Sequence, residues 1–136
     1  MAIKLVFGIF IVLHGLVHLL YFGQSWRFFE LQAGMVWPDG SWAFSRLLGD
    51  EPTRLLASVA CVLAAVGFVV GGVGILAEQS WWRTAVIGAA LFSSLLYLLF
   101  WNGKMQHLDN QGAIGLLINA AIVVAVLVFQ WPNFAF

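Results

Sequence analysis

The chain has 136 residues, 62% of them hydrophobic and 9% charged, and its six basic and six acidic side chains sum to zero. A soluble domain carries about 25% charged residues, so this composition excludes an ordinary water-soluble fold, and the absent net charge argues against nucleic acid or an acidic macromolecule as partner. The single cysteine, Cys61, excludes an intrachain disulfide.

Four apolar segments, about 5–22, 55–76, 81–101 and 112–131, fill most of the chain. Each approaches the roughly 20 residues that a helix needs to cross a bilayer. They are continuous rather than alternating, which excludes a β-barrel. The expected fold is therefore all-α: one transmembrane domain over 1–136, an integral membrane four-helix bundle with a structured, aromatic-rich connection between spans 1 and 2. No small-residue cleavage site follows span 1, where Tyr21-Phe22-Gly23-Gln24-Ser25-Trp26 stands instead. Span 1 is read as retained rather than as a signal peptide. Aromatic residues near the span ends, among them Tyr21, Trp26, Trp81, Trp101 and Trp131, fit an interfacial belt.

The connection between spans 1 and 2 carries a turn signature at Trp37-Pro38-Asp39-Gly40, because proline presets φ and glycine permits the exit. Ser41 is placed to cap a short helix from Trp42 to Leu48, stopped by Gly49. Pro52 suits the first turn of span 2, with Asp50 or Glu51 as its cap. Arg54 is expected to pair locally with Asp50 and Glu51. Arg46 beside Ser45 offers a planar fork to a lipid phosphate or other anion, or simply snorkels. The whole aromatic stretch is expected to lie on the bilayer surface as a lid.

Four spans put both termini on one side, here side A. The opposite side B holds the 1–2 connection and the 3–4 loop, with Arg27, Arg46, Arg54 and Lys104, against Lys4 and Arg83 on side A. This count tips side B toward the cytoplasm.

The polar residues of the spans share one level. From side B, His18 lies about 6 Å and His14 about 12 Å into span 1. Ser58 and Cys61 of span 2, Tyr97, Ser94 and Ser93 of span 3, and Asn119 of span 4 fall at depths of about 5 to 12 Å. Lipid offers no hydrogen-bond partners, so one shared interior cluster is expected, and intramembrane ionisable residues mark a functional site by default. Small residues at Ala57, Ala60, Ala64, Gly67 and Gly71 in span 2, and at Ala85, Ala89 and Ser93 in span 3, favour close helix approach or a homo-oligomer.

His14 and His18, one helical turn apart, suit two ligands on one transition metal, with His107 or Asp109 of the 3–4 loop as a third ligand. The bland alternative is a neutral pair bonded to Ser, Tyr, Asn or backbone carbonyls. No nucleophile triad, phosphate loop or paired intramembrane carboxylate is present.

At His14-Gly15-Leu16-Val17-His18-Leu19 the chain resembles a group of small, uncharacterised bacterial four-span membrane proteins. The resemblance continues at Trp37-Pro38-Asp39-Gly40-Ser41-Trp42-Ala43-Phe44-Ser45-Arg46, at Trp101-Asn102-Gly103-Lys104 and at Gly112-Ala113-Ile114-Gly115-Leu116-Leu117-Ile118-Asn119. It implies a bacterial plasma (inner) membrane and a four-helix bundle, and assigns no residue a role. The coarse architecture is also similar to the DoxX-like, quinone-linked group, an analogy of fold only.

The leading expectation is a membrane protein that binds a small amphipathic molecule (a lipid, isoprenoid or quinone-like ligand) in a polar-lined pocket formed by His14, His18, Ser58, Ser94, Tyr97 and Asn119. The alternatives are a metal-dependent or redox enzyme using His14, His18 and His107, and a structural subunit of a membrane complex.

Overall fold

The computed structural model describes residues 1–136, and every regular element in it is helical. Three helices are long and apolar enough to cross a membrane: α1 (Ala2–Ser25), α3 (Asp50–Leu76) and α4 (Trp82–Leu99). A four-residue helix, α2 (Ser45–Leu48), precedes α3. A 3-10 turn (Leu108–Gln111) leads into α5 (Ala113–Val123), which continues as a π-helical turn (Val124–Val128).

The boundaries differ from the sequence expectation for identifiable reasons. α3 begins at Asp50, five residues before the expected 55. Pro52 needs no N–H partner in a first turn, and Asp50 and Glu51 there favour the positive end of the helix dipole. The residue preceding the helix is Gly49, in a positive-φ conformation (80°), rather than either acid. α2 covers Ser45–Leu48 only. Ser41 still organises its start, because its Oγ accepts the Phe44 N–H (3.3 Å) and its carbonyl accepts the Ser45 N–H (3.1 Å). The fourth apolar run is helical only from 113 to 128, not from 112 to 131. Beyond Val128 the chain closes on itself through Phe129 N–H to Val124 O (3.0 Å) and Trp131 N–H to Ala125 O (2.8 Å), and Pro132 follows.

α1 and α3 end in the same way. Arg27 N–H bonds Gln24 O (3.1 Å) and Phe28 N–H bonds Gly23 O (2.9 Å). At the other helix Glu78 N–H bonds Ile75 O (3.1 Å) and Gln79 N–H bonds Gly74 O (2.8 Å). Both are Schellman pairs, with Arg27 (φ 62°) and Glu78 (φ 57°) in the left-handed position usually given to glycine. Each is held there by its side chain. Arg27 donates to Gln24 O, Trp37 O and Val36 O. Glu78 accepts from Lys4, whose ammonium holds the Glu78 carboxyl below the usual carboxylate range.

Helix spacing is set by glycines. A Cβ on Gly72 of α3 would stand 2.8 Å from the Gly8 carbonyl oxygen of α1 and 2.5 Å from Val12 Cγ2. A Cβ on Gly15 would stand 2.6 Å from Phe68 Cβ. Across the next interface, a Cβ on Gly71 would lie 2.7 Å from Val86, and one on Gly67 would lie 3.1 Å from Ala89. Gly67 and Gly71 of the span-2 stripe therefore face α4, where Gly67 meets Ala89 of the span-3 stripe, whereas Ser93 turns to His18 and Asn119. The α1–α3 seam, made by Gly8, Gly15 and Gly72, is the closer one. The apolar interior forms two clusters. One is centred on Phe7, Ile11, Phe68, Trp82 and Val86, and the other on Trp37, Cys61, Leu96, Tyr97 and Phe100.

Replacing Gly72 by Leu is expected to destabilise the bundle by about 1–3 kcal/mol through overpacking. Gly88→Ala, at a position with nothing within 4 Å, is expected to stabilise it by about 0.5–1 kcal/mol. Thermal unfolding in detergent, followed by circular dichroism, checks both signs. Equal midpoints for the two variants would refute the close α1–α3 seam.

Candidate functional site

Both histidines of α1 point into the bundle. His14 is 6% and His18 1% exposed, and Ser93 and Asn119 are fully buried beside them. The four side chains bond in sequence. His14 Nε2 lies 2.8 Å from Asn119 Oδ1, Asn119 Nδ2 donates to Ser93 Oγ at 2.8 Å, and Ser93 Oγ lies 2.6 Å from His18 Nε2. His18 Nδ1 faces two backbone carbonyls, His14 O at 3.2 Å and Gly15 O at 3.1 Å.

The partners fix the protons. Carbonyl oxygens only accept, so His18 Nδ1 carries hydrogen and its Nε2 accepts from the Ser93 hydroxyl. Ser93 in turn accepts the Asn119 amide, and Asn119 Oδ1 accepts the His14 Nε2–H. One neutral arrangement satisfies every bond, with the donor direction running from His14 through Asn119 and Ser93 to His18. The network ties α1, α4 and α5 together, and α3 adds only an aromatic wall. The Phe68 ring lies 4.8 Å from the His14 ring and 5.5 Å from the His18 ring, centroid to centroid.

The structure separates the expected cluster residues. His14, His18 and Asn119 converge, with Ser93 rather than Ser94. Ser94 bonds back to Ala90 O at 2.7 Å and Ser58 to Arg54 O at 2.7 Å, each within its own helix. This back-bonding to the preceding turn is the usual alternative for a helical serine, and it removes both from the network. Tyr97 packs its ring 5.7 Å from the His18 ring and 5.2 Å from that of Tyr21, but contributes no bond to the network. Cys61 is buried and free. No three His, Cys, Asp or Glu side chains converge in a metal-ligating group, so His107 and Asp109 do not complete a set with His14 and His18.

Tyr97 instead forms the wall of a slot between α4 and the start of α5. The space, about 200 Å³, is also bounded by Trp101, Leu108, Gln111, Gly112 and Leu116. Two glycines admit the ring: a Cβ on Gly112 would fall 2.1 Å from Tyr97 Cδ1, and one on Gly115 would fall 3.1 Å from Cε2. Gln111 is buried, and its Oε1 accepts the Asn102 N–H at 3.3 Å. Nothing in the hydropathy pattern marks Gln111. Its position directly before a glycine at a helix start is the one available signal.

The end of the bundle beside Tyr97 is closed by the 1–2 connection, which goes further in than a surface lid. Trp37 is fully buried, with its ring 5.1 Å from Tyr21 and 6.2 Å from Phe100. Its indole N–H has no acceptor. Asp39 anchors the turn. It receives Arg54 Nε at 2.7 Å and Nη2 at 2.5 Å, and Arg27 Nη2 at 2.8 Å. Arg54 therefore does not pair with Asp50 and Glu51, because the turn brings Asp39 into a two-pronged geometry that neighbours on the same helix cannot offer. Asp50 accepts the Gly40 N–H at 3.0 Å. Ser41 Oγ and Trp42 Nε1 bond the Leu99 and Leu98 carbonyls, both at 2.7 Å, covering the open end of α4.

Asn119→Ala leaves the His14 N–H and one Ser93 lone pair without partners, and is expected to cost about 1–3 kcal/mol. The combination His14→Phe with Asn119→Leu, which removes both partners of one bond, is expected to recover part of that loss. A double-mutant cycle on His14→Ala and Asn119→Ala, read by thermal unfolding in detergent, should give a coupling above about 0.5 kcal/mol. Simple additivity would show that the bond is not made.

Comparison with protein-family models, with curated proteins and with solved structures finds no match for this chain.

Proposed function

We propose that the chain is an integral membrane protein whose four apolar helical segments span the bilayer, and that it binds the polar end of a small amphipathic molecule, of the lipid, isoprenoid or quinone-like class, in the slot walled by Tyr97. Support for insertion comes from the outward faces. Leu13 (57% exposed), Leu63 (55%), Leu95 (53%) and Leu117 (71%) each represent an apolar belt on a different helix. An apolar surface this continuous marks contact with membrane or partner. α5 with its π turn covers 16 residues, or about 24 Å, which reaches across a bilayer core when the aromatic end at Phe129 and Trp131 sits in the interface.

The observation that carries the ligand reading is the contrast between the two polar sites. The histidine network is closed: its members are buried and bonded to one another. The Tyr97 hydroxyl stands apart from that network, beside an apolar slot that also holds Gln111. Apolar lining with a few convergent polar groups is the usual make-up of a small-molecule site. The histidines then serve the site indirectly, by fixing α1, α4 and α5 around it, with the His18 ring tilted against that of Tyr97.

Mass spectrometry of protein purified in mild detergent is expected to find one small amphipathic molecule retained by wild type. Tyr97→Phe should lower its occupancy several-fold, and Leu116→Trp, which fills the slot, should abolish it while the protein stays folded. A wild-type protein free of any such molecule, or equal occupancy in all three proteins, would overturn the reading.

A further inference from the structure

A second cavity, lined mostly by polar residues, lies on the outside of the bundle where α1 ends and α3 begins. It measures about 490 Å³ and is lined chiefly by Trp26, Arg27, Glu51, Arg54, Leu55 and Ser58. We propose that this cavity binds the headgroup of an ethanolamine phospholipid, with the phosphate on Arg27 and Arg54 and the ammonium on Glu51. The inference rests on the membrane-spanning reading above and not on the Tyr97 slot.

Three observations support it. First, the two guanidinium groups are fixed in place. Both converge on the single Asp39 carboxylate, and Arg27 is further bonded to three backbone carbonyls. One carboxylate neutralises one of the two cations, which leaves one positive charge over. About a third of each arginine side chain is open to solvent (32% and 36%). The donors without a protein partner are Arg54 Nη1 and Arg27 Nε, and N–H groups held rigidly in this way suit a phosphate better than a mobile point charge does. Second, Glu51 makes no ion pair, although it stands in the wall of the same cavity. The cavity wall carries both signs of charge, Arg27 and Arg54 against Glu51, while Asp39 is bonded to the two guanidinium groups and Asp50 to the Gly40 N–H, so the site suits a headgroup that carries separated charges. An anionic headgroup would leave Glu51 facing its negative charge. Third, the surroundings place the cavity at the level of headgroups. Trp26 is 49% exposed at its rim, and the outward residues Leu55 (54%) and Val59 (53%) continue down α3 as a track for an acyl chain. A carboxylate accepts hydrogen bonds from a primary ammonium, which has three N–H groups, but none from a quaternary one.

The test uses the full chain in detergent. Native mass spectrometry is run with phosphatidylethanolamine, phosphatidylcholine and phosphatidylglycerol of identical acyl chains. Wild type is expected to retain phosphatidylethanolamine at least five-fold over either of the others. Glu51→Gln, which breaks no bond of the fold, should erase that preference while phosphatidylglycerol retention rises. Arg54→Gln should weaken all three lipids, and its folding is checked by circular dichroism. Equal retention of the three lipids by wild type, a preference for phosphatidylglycerol, or an unchanged preference in Glu51→Gln would overturn the proposal. Displacement of the lipid by an equal concentration of water-soluble glycerophosphoethanolamine would overturn its lipid assignment in favour of a soluble phosphodiester. Carbonate washing of membranes keeps the two readings apart. Protein that washes off defeats the membrane-spanning reading, whereas protein that stays but shows no lipid preference defeats this inference alone.

Discussion

A buried polar group far from water needs its partner inside the protein, and this one requirement, left unmet at the Trp37 indole N–H and the Ser45 hydroxyl, organises the bundle. His14, Asn119, Ser93 and His18 answer it with a closed chain of bonds that has a single consistent donor direction. Each bond is modest in net worth, at about 0.5–1.5 kcal/mol, but leaving any member unpaired costs more than its bond gains. The network therefore works mainly through specificity. Rotating α4 by one residue would replace Ser93 with Ser94, which faces its own helix, and would leave His18 and Asn119 without their shared hydroxyl. Three helices are thereby held in one rotational setting. α3, which contributes nothing polar to the centre, is positioned instead by backbone contact at Gly8 and Gly72 and by the Phe68 ring against both imidazoles.

The two ends of the bundle meet the same requirement differently. At the end nearer the long connection, unpaired helix carbonyls are covered by side chains from elsewhere in the sequence. Ser41 and Trp42 close α4, and Arg27 collects carbonyls of the end of α1 and of the turn at Val36 and Trp37. At the other end one arginine does comparable work. Arg83 sits over the Trp82 ring and donates to Val126 O, Gln130 O and Pro132 O, so that the π turn and the residues after it are held against α4. Arginine suits such positions because its five donors fan out from one rigid plane.

This division of labour bears on function. Side chains that are bonded to one another at the centre have little left to offer a ligand, so in the proposed reading the histidines act as structure even though their chemistry draws attention first. Under the reading proposed above, recognition moves outward to groups at the edges of the bonded network: Tyr97 on one side, and the arginine pair with Glu51 on the outer face. Both sites sit beside helix ends fixed by the long connection, and Trp37 lies close to both Tyr97 and Tyr21.

The sequence by itself determined the helical class and the four apolar runs, three of which are helices long enough to cross a membrane while the fourth is helical over the shorter Ala113–Val128. Composition, uninterrupted apolar length and the rise per residue along a helix are local quantities. That His14, His18 and Asn119 would meet followed from depth alone. Which serine joined them did not, because Ser93 and Ser94 lie at nearly equal depth and differ only in the direction they face, a property set by how α4 packs. The partner of Arg54 was likewise out of reach. Asp50 and Glu51 are close in sequence, whereas Asp39 becomes its partner only once the Trp37–Gly40 turn folds back over the end of α3. Tertiary packing also decided that Gly8, Gly15 and Gly72, scattered in an apolar sequence, make the closest seam, and that Tyr97 borders open space instead of closing the network. Contacts between residues remote in sequence depend on the relative rotation and tilt of whole helices, and no single segment carries that information.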